Sequence, residues 1–133
     1  MWLVVALALV QGTFQGWTVA KGAASGIDMP RTVIVRTTAE WGTLWRDHAP
    51  GTDAPPVDFS AQAVVGVFLG SRPTAGYSVE IVRTVSRGAG LVVQYVESRP
   101  GKGAMTAQML TAPYHLVAVA AGARDIQFEK VEN

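Results

Sequence analysis

His48 and His115 are the only imidazoles in the chain, and they stand far apart in the sequence. An imidazole beside a serine could activate a hydroxyl nucleophile, because such triads assemble in space rather than along the chain. The serines lack the setting for it. No G-x-S-x-G elbow occurs, and no serine falls at a sharp strand-to-helix turn. His48 closes the apolar face of a helix near its C-terminus, where the helix dipole favours imidazolium, and His115 opens a strand. Both read as packing residues. The ten acidic residues are scattered singly, whereas a metal wants clustered ligands. Glu80 and Glu97 read as solvated strand positions that would pair only if their strands were aligned. Gly101-Lys102-Gly103 lacks phosphate-loop spacing and the helix that should follow it, so it reads as a flexible hairpin connection. The chain has no cysteine, which removes disulfide scaffolds, zinc–cysteine sites and thiol enzymes. The reading is no catalytic residue, no metal and no cofactor.

Two loops are more informative. Gly70-Ser71-Arg72-Pro73-Thr74-Ala75-Gly76-Tyr77 joins an apolar strand to an alternating one. Pro73 fixes φ near −65° and the glycines permit positive φ, so Arg72 and Thr74 can be presented to a partner at little entropic cost. The second loop is Ser98-Arg99-Pro100-Gly101-Lys102-Gly103. If the flanking strands pair as a meander, Arg72, Arg99 and Lys102 form a positive patch beside Tyr77 and Tyr95. Arginine and tyrosine are enriched at protein interfaces. The candidate partner-binding residues are therefore Arg72, Pro73, Thr74, Gly76, Tyr77, Arg99, Pro100 and Lys102. Tyr77 serves equally as an aromatic anchor or as the first core residue of its strand.

The elements that would hold these loops are mostly strands. Gly and Pro punctuate the chain at short intervals. Strands are expected at 14–22, 32–36 (TVIVR), 63–69 (AVVGVFL), 77–85, 91–97, 114–120 and 126–131, with a weaker one at 105–110. The unbroken apolar run at 63–69 requires cover on both faces. In 77–85, Tyr77, Val79 and Ile81 share one face. One helix is expected over about 38–49. Thr37 to Glu40 forms a capping box, Trp41, Leu44, Trp45 and His48 fall on one side, and Pro50-Gly51 ends it. Gly42 costs that helix about 1 kcal/mol. The fold class is α+β and strand-dominated, an antiparallel sheet or sandwich with one amphipathic helix covering an open face or edge.

At 133 residues and 49% hydrophobic composition, one domain with a single core is expected. The formal net charge of +1 gives no basic excess for nucleic-acid binding. Residues 1–10, MWLVVALALV, are too few to span a bilayer, which takes about 20. Residues 1–12 read as an export-signal remnant without its basic n-region or as a buried first strand. Residues 13–133 form the domain.

From about Gly22 onward the chain resembles the PrcB C-terminal domain of protease-complex subunits. The matching residues are Lys21 to Ile27 (KGAASGI), Glu40-Trp41 to Leu44-Trp45, Val57-Asp58-Phe59, and Val64 to Gly70 running into Arg72 to Ile81. Glu97 to Pro100 and Ala112 to His115 follow in the same order. The resemblance implies a non-enzymatic, exported or envelope-associated domain that binds or stabilises a protein partner such as a secreted protease. Pro73-Thr74-Ala75-Gly76-Tyr77 also resembles the cleft-entering loop of chagasin-like inhibitors of papain-like proteases, and Arg99-Pro100 resembles their later Arg-Pro loop. Arg72, Val79 and Gly101 replace the asparagine, tryptophan and aromatic residue of that family, which removes its aromatic wedge.

Overall fold

The structure, a computed structural model, describes residues 16–132. The two readings of residues 1–12, and the first two residues of the strand expected at 14–22, lie outside the described residues. Seven strands and one helix follow in the order β1 (Trp17–Gly22), β2 (Arg31–Val35), α1 (Thr38–His48), β3 (Gln62–Phe68), β4 (Ser78–Arg87), β5 (Gly90–Ser98), β6 (Tyr114–Ala120) and β7 (Asp125–Lys130). They form a four-stranded sheet ordered β1-β6-β3-β2 and a three-stranded sheet ordered β4-β5-β7. Among the described residues the chain adopts the expected α+β, strand-dominated sandwich with one helix.

β3 explains the layering. Its odd residues Ala63, Val65 and Val67 point into a core shared with Val79 and Ile81 of β4, Val93 of β5 and Ile126 of β7. Its even residues Val64 and Phe68 point the other way, onto Trp41 and Leu44 of α1. A strand covered on both faces needs no alternation, and residues 63–69 are buried throughout. Gly66 between them leaves room for the buried Leu116 side chain, against which a Cβ would press.

The helix begins where its cap dictates. Thr37 Oγ1 accepts from the Glu40 backbone N–H at 3.1 Å. Glu40 reaches back one residue further than the usual box, accepting from Arg36 N–H at 2.8 Å. Trp41, Leu44 and His48 are buried, and Trp45 is half-buried. The helix therefore covers the face of the four-stranded sheet opposite the three-stranded one.

Four expectations need correction. Residues 105–110 form no strand; they lie in the long connection from β5 to β6. Gly101-Lys102-Gly103 is accordingly part of a crossover between sheets and joins no hairpin. The three-stranded sheet is mixed, since β7 pairs parallel with β5. The chain crosses into β6 between those two strands, and parallel neighbours need such a crossover. Finally, the alternation in β4 holds only to Ile81. A register shift between Ile81 and Arg83 changes the phase, so Thr84 faces inward.

Candidate functional site

Residues 70–77 leave β3 at Gly70, whose φ of 81° and close approach to Pro30 demand glycine. The loop is then pinned along residues 104–111. Arg72 and Thr111 exchange backbone hydrogen bonds at 2.7 and 2.9 Å, and Ala75 N–H donates to Ala107 O at 3.1 Å. Thr111 Oγ1 donates to Thr74 O at 3.0 Å. Gly76, at φ 98°, lies so close to Pro100 that a Cβ would stand 2.9 Å from Pro100 Cγ. Loops 70–77 and 98–104 are thus side by side, joined by a third segment, 104–111, which contains the weaker strand expected at 105–110.

The charges are arranged differently from the expected patch. Arg72 and Arg99 do not both face outward as free cations. They converge on Glu97, whose side chain is only 7% exposed. Arg72 Nη2 lies 3.2 Å and Arg99 Nε 3.7 Å from Glu97 Oε2, and Lys130 Nζ lies 3.0 Å from Oε1. Arg72 also donates to Leu69 O at 2.9 Å, and its guanidinium lies 5.8 Å from the centre of the Tyr77 ring. Lys102 is exposed on the loop and takes no part in this cluster. Lys130 takes its place, because the parallel register sets it opposite Tyr95, two residues before Glu97.

Burial opposes the Glu97 charge, but the hydrogen bonds and charges of Lys130 and Arg72 outweigh it and hold the carboxyl below its usual range. The reading of Glu97 as a solvated position is therefore corrected. It is the anchor that locks the first loop to the sheet. Glu80 is exposed, 3.8 Å from Lys21. Three cations around one carboxylate leave this end of the molecule locally positive.

The segment that pins the first loop carries exposed apolar side chains. Met105 is 99% exposed, Leu110 77% and Met109 56%, on the segment bonded to residues 72–75. Pro73 is exposed, and Thr74, Tyr77 and Pro100 are half-buried, so Tyr77 is neither core nor fully presented. Reading 105–110 as a strand hid the three large side chains. The signal that could have revealed them is Pro100 to Gly103, a stretch too rich in turn residues to end in a strand.

Both histidines are buried, as packing residues should be. His48 packs edge-on to Tyr114, Trp45 and Phe68, and burial lowers its pKa, so the neutral ring replaces the imidazolium expected from the helix dipole. Ser25 Oγ lies 2.8 Å from its Nδ1 while accepting from Ile27 N–H. This is the only serine–imidazole contact among the described residues, and no carboxylate orients the ring. His115 Nδ1 accepts from Ile81 N–H at 2.8 Å, which leaves Nε2 to meet Thr18 Oγ1 at 2.8 Å. Among the described residues no group of three or more His, Asp or Glu side chains could hold a metal ion, and no helix is long and apolar enough to cross a membrane.

Residues 63–120 match the model of the family described as PrcB C-terminal. That stretch contains both loops, Glu97 and His115 and leaves α1 and Lys130 outside. No curated protein and no solved structure matches the chain. From residue 63 to residue 120, then, the chain is similar to the PrcB C-terminal domain family.

Proposed function

We propose that this protein is a non-enzymatic binding domain that recognises a protein partner, an exported protease or another envelope protein, through residues 70–77 and 98–111. The observation that carries the reading is the exposure of Met105, Met109 and Leu110 on a segment hydrogen-bonded to a stiff neighbouring loop. Exposed large apolar side chains gathered on one surface mark contact sites, and methionine adapts to varied partner shapes. Burying each would contribute roughly 1.5–3 kcal/mol before the costs of association. The excess positive charge around Glu97 favours a partner that is acidic at the rim. The resemblance and the apolar run at residues 1–10 support export of the protein.

Affinity capture from the exported fraction of the native organism tests this reading. A protease or envelope protein should be recovered and should be lost with a Met105→Ser/Met109→Ser/Leu110→Ser variant. Equal recovery by both proteins would reject the assignment.

The contact of Gly76 with Pro100 favours a second reading, a chagasin-like inhibitor. In it, residues 72–77 enter the cleft of a papain-like protease and the three apolar side chains substitute for the missing aromatic wedge. Micromolar protein should then slow such an enzyme, and Thr74→Asp should abolish the effect.

A further inference from the structure

The second surface lies on the opposite side of β3 and is independent of the loops. Among the described residues β2 ends its sheet and pairs only with β3. The hydrogen-bonding direction of its residues follows from the neighbouring ladder. Ala61 and Leu69, which flank β3, bond to Ala121 and Pro113 around β6. With no register shift between, the odd residues of β3 face β6 and the even ones face β2. Arg31, Val33 and Val35 therefore bond to Phe68, Gly66 and Val64. Thr32 and Ile34 turn their N–H and C=O groups outward, where they meet no backbone partner among the described residues. Arg36, next in that series, directs its N–H to Glu40 instead.

Other sheet edges carry features that discourage pairing. β1 has a register shift between Thr18 and Ala20 and a lysine at 21. The exposed edge β7 is lined by Asp125, Gln127 and Glu129. β4 has its own shift, and Ile81 N–H is taken by His115. β2 is less protected: its register is unbroken, its one charge is Arg31 at its start, and Thr32-Val33-Ile34-Val35 is wholly β-branched. Alongside it α1 runs back toward Arg31, leaving a cleft of about 450 Å³ floored by Val33, Val35 and Leu44. Arg31 stands at one end of the cleft and Glu40 at the other.

We propose that β2 accepts a strand: an extended segment of a partner protein adds antiparallel to its free edge, with alternate β-branched side chains entering the cleft against α1. Backbone bonds to Thr32 and Ile34 supply affinity and the cleft supplies selection, as in other strand-addition modes. Glu40 calls for a basic residue near the partner segment's amino end, whereas Arg31 is already paired with Asp47 at 3.7 Å. A second copy of this chain fits less well. A five-residue strand spans about 17 Å, too little contact for the roughly 800 Å² per partner of a stable dimer.

The test uses the full-length ¹⁵N-labelled protein and the blocked peptide acetyl-KVTVTVE-amide, with the same peptide N-methylated at alternate residues as control. The expected result is that millimolar peptide shifts the Thr32 and Ile34 amide resonances and slows their hydrogen exchange about tenfold. The methylated peptide should do neither, and Thr43→Trp, which fills the cleft from the exposed face of α1, should abolish the response. Ile34→Pro removes one outward N–H without touching the β3 ladder and should abolish it too. Absence of any response at these amides, or an equal response to the methylated peptide, overturns the proposal. So does protection in the free protein: if it rises with protein concentration a second copy occupies the edge, and if it is constant the chain's own amino-terminal segment does.

Discussion

Glu97 and His115 are the two side chains on which the arrangement of the loops and sheets depends most. Glu97 joins β5 to the first loop and to β7 through Arg72 and Lys130. Removing its charge leaves two partly buried cations without their carboxylate, which is the costly half of breaking an ion pair. Glu97→Gln should destabilise the protein by about 1–3 kcal/mol in urea unfolding. His115 joins the two sheets, accepting from Ile81 of one and meeting Thr18 of the other. Burial lowers its pKa to about 4, aided by the charge of Lys21 and opposed by that of Glu80. A depressed histidine pKa means that the unfolded chain binds the extra proton first. The stabilising effect is therefore complete above the ordinary histidine pKa near 6.5 and is lost as the pH falls toward 4. Between pH 7 and 4 the protein should lose about 2–3 kcal/mol from this group. The loss should flatten in His115→Gln, which still accepts the Ile81 N–H; an unchanged slope would remove His115 as the cause. The burial of both histidines was legible from the apolar residues around them. The role of Glu97 was not, because its partners are 25 and 33 residues away and sheet register, invisible in one sequence, brings them together.

Among the elements, α1 and β3 were the most readable. A cap, a 3.6-residue apolar period and a Pro-Gly stop each predict the same helix, and an unbroken apolar run admits only a doubly covered strand. The connection from β5 to β6 was misread because residues 105–110 are apolar enough for a strand but find no edge to pair with. The shift in β4 escaped for a similar reason: a single extra residue leaves composition unchanged while reversing the face. Two substitutions in the helix test its local energetics. Gly42 sits in an interior turn where a Cβ would meet nothing nearer than Arg46 Nη1 at 3.8 Å. Gly42→Ala should therefore stabilise the protein by roughly 0.5–1 kcal/mol. Thr37→Ala removes the cap on Glu40 N–H and should cost about 1 kcal/mol. Thermal melts of the two variants should move in opposite directions.

For the whole molecule, both sheets act as a frame whose one end carries paired loops with an apolar tip and a cationic rim. The loops meet because Gly76 admits Pro100 to a distance that no other residue allows. Gly76→Ala, strained at φ 98° and obstructed by Pro100, should separate the loops and weaken partner binding while the core stays folded. Circular dichroism and affinity capture would report the two effects separately. The most direct measurement is the dissociation constant for the captured partner, by calorimetry, with the native protein and with the Met105→Ser/Met109→Ser/Leu110→Ser variant. Recognition by the loops predicts a loss of at least about a hundredfold, since three exposed apolar side chains leave the contact. Equal affinity of the two proteins, at equal stability, would contradict it.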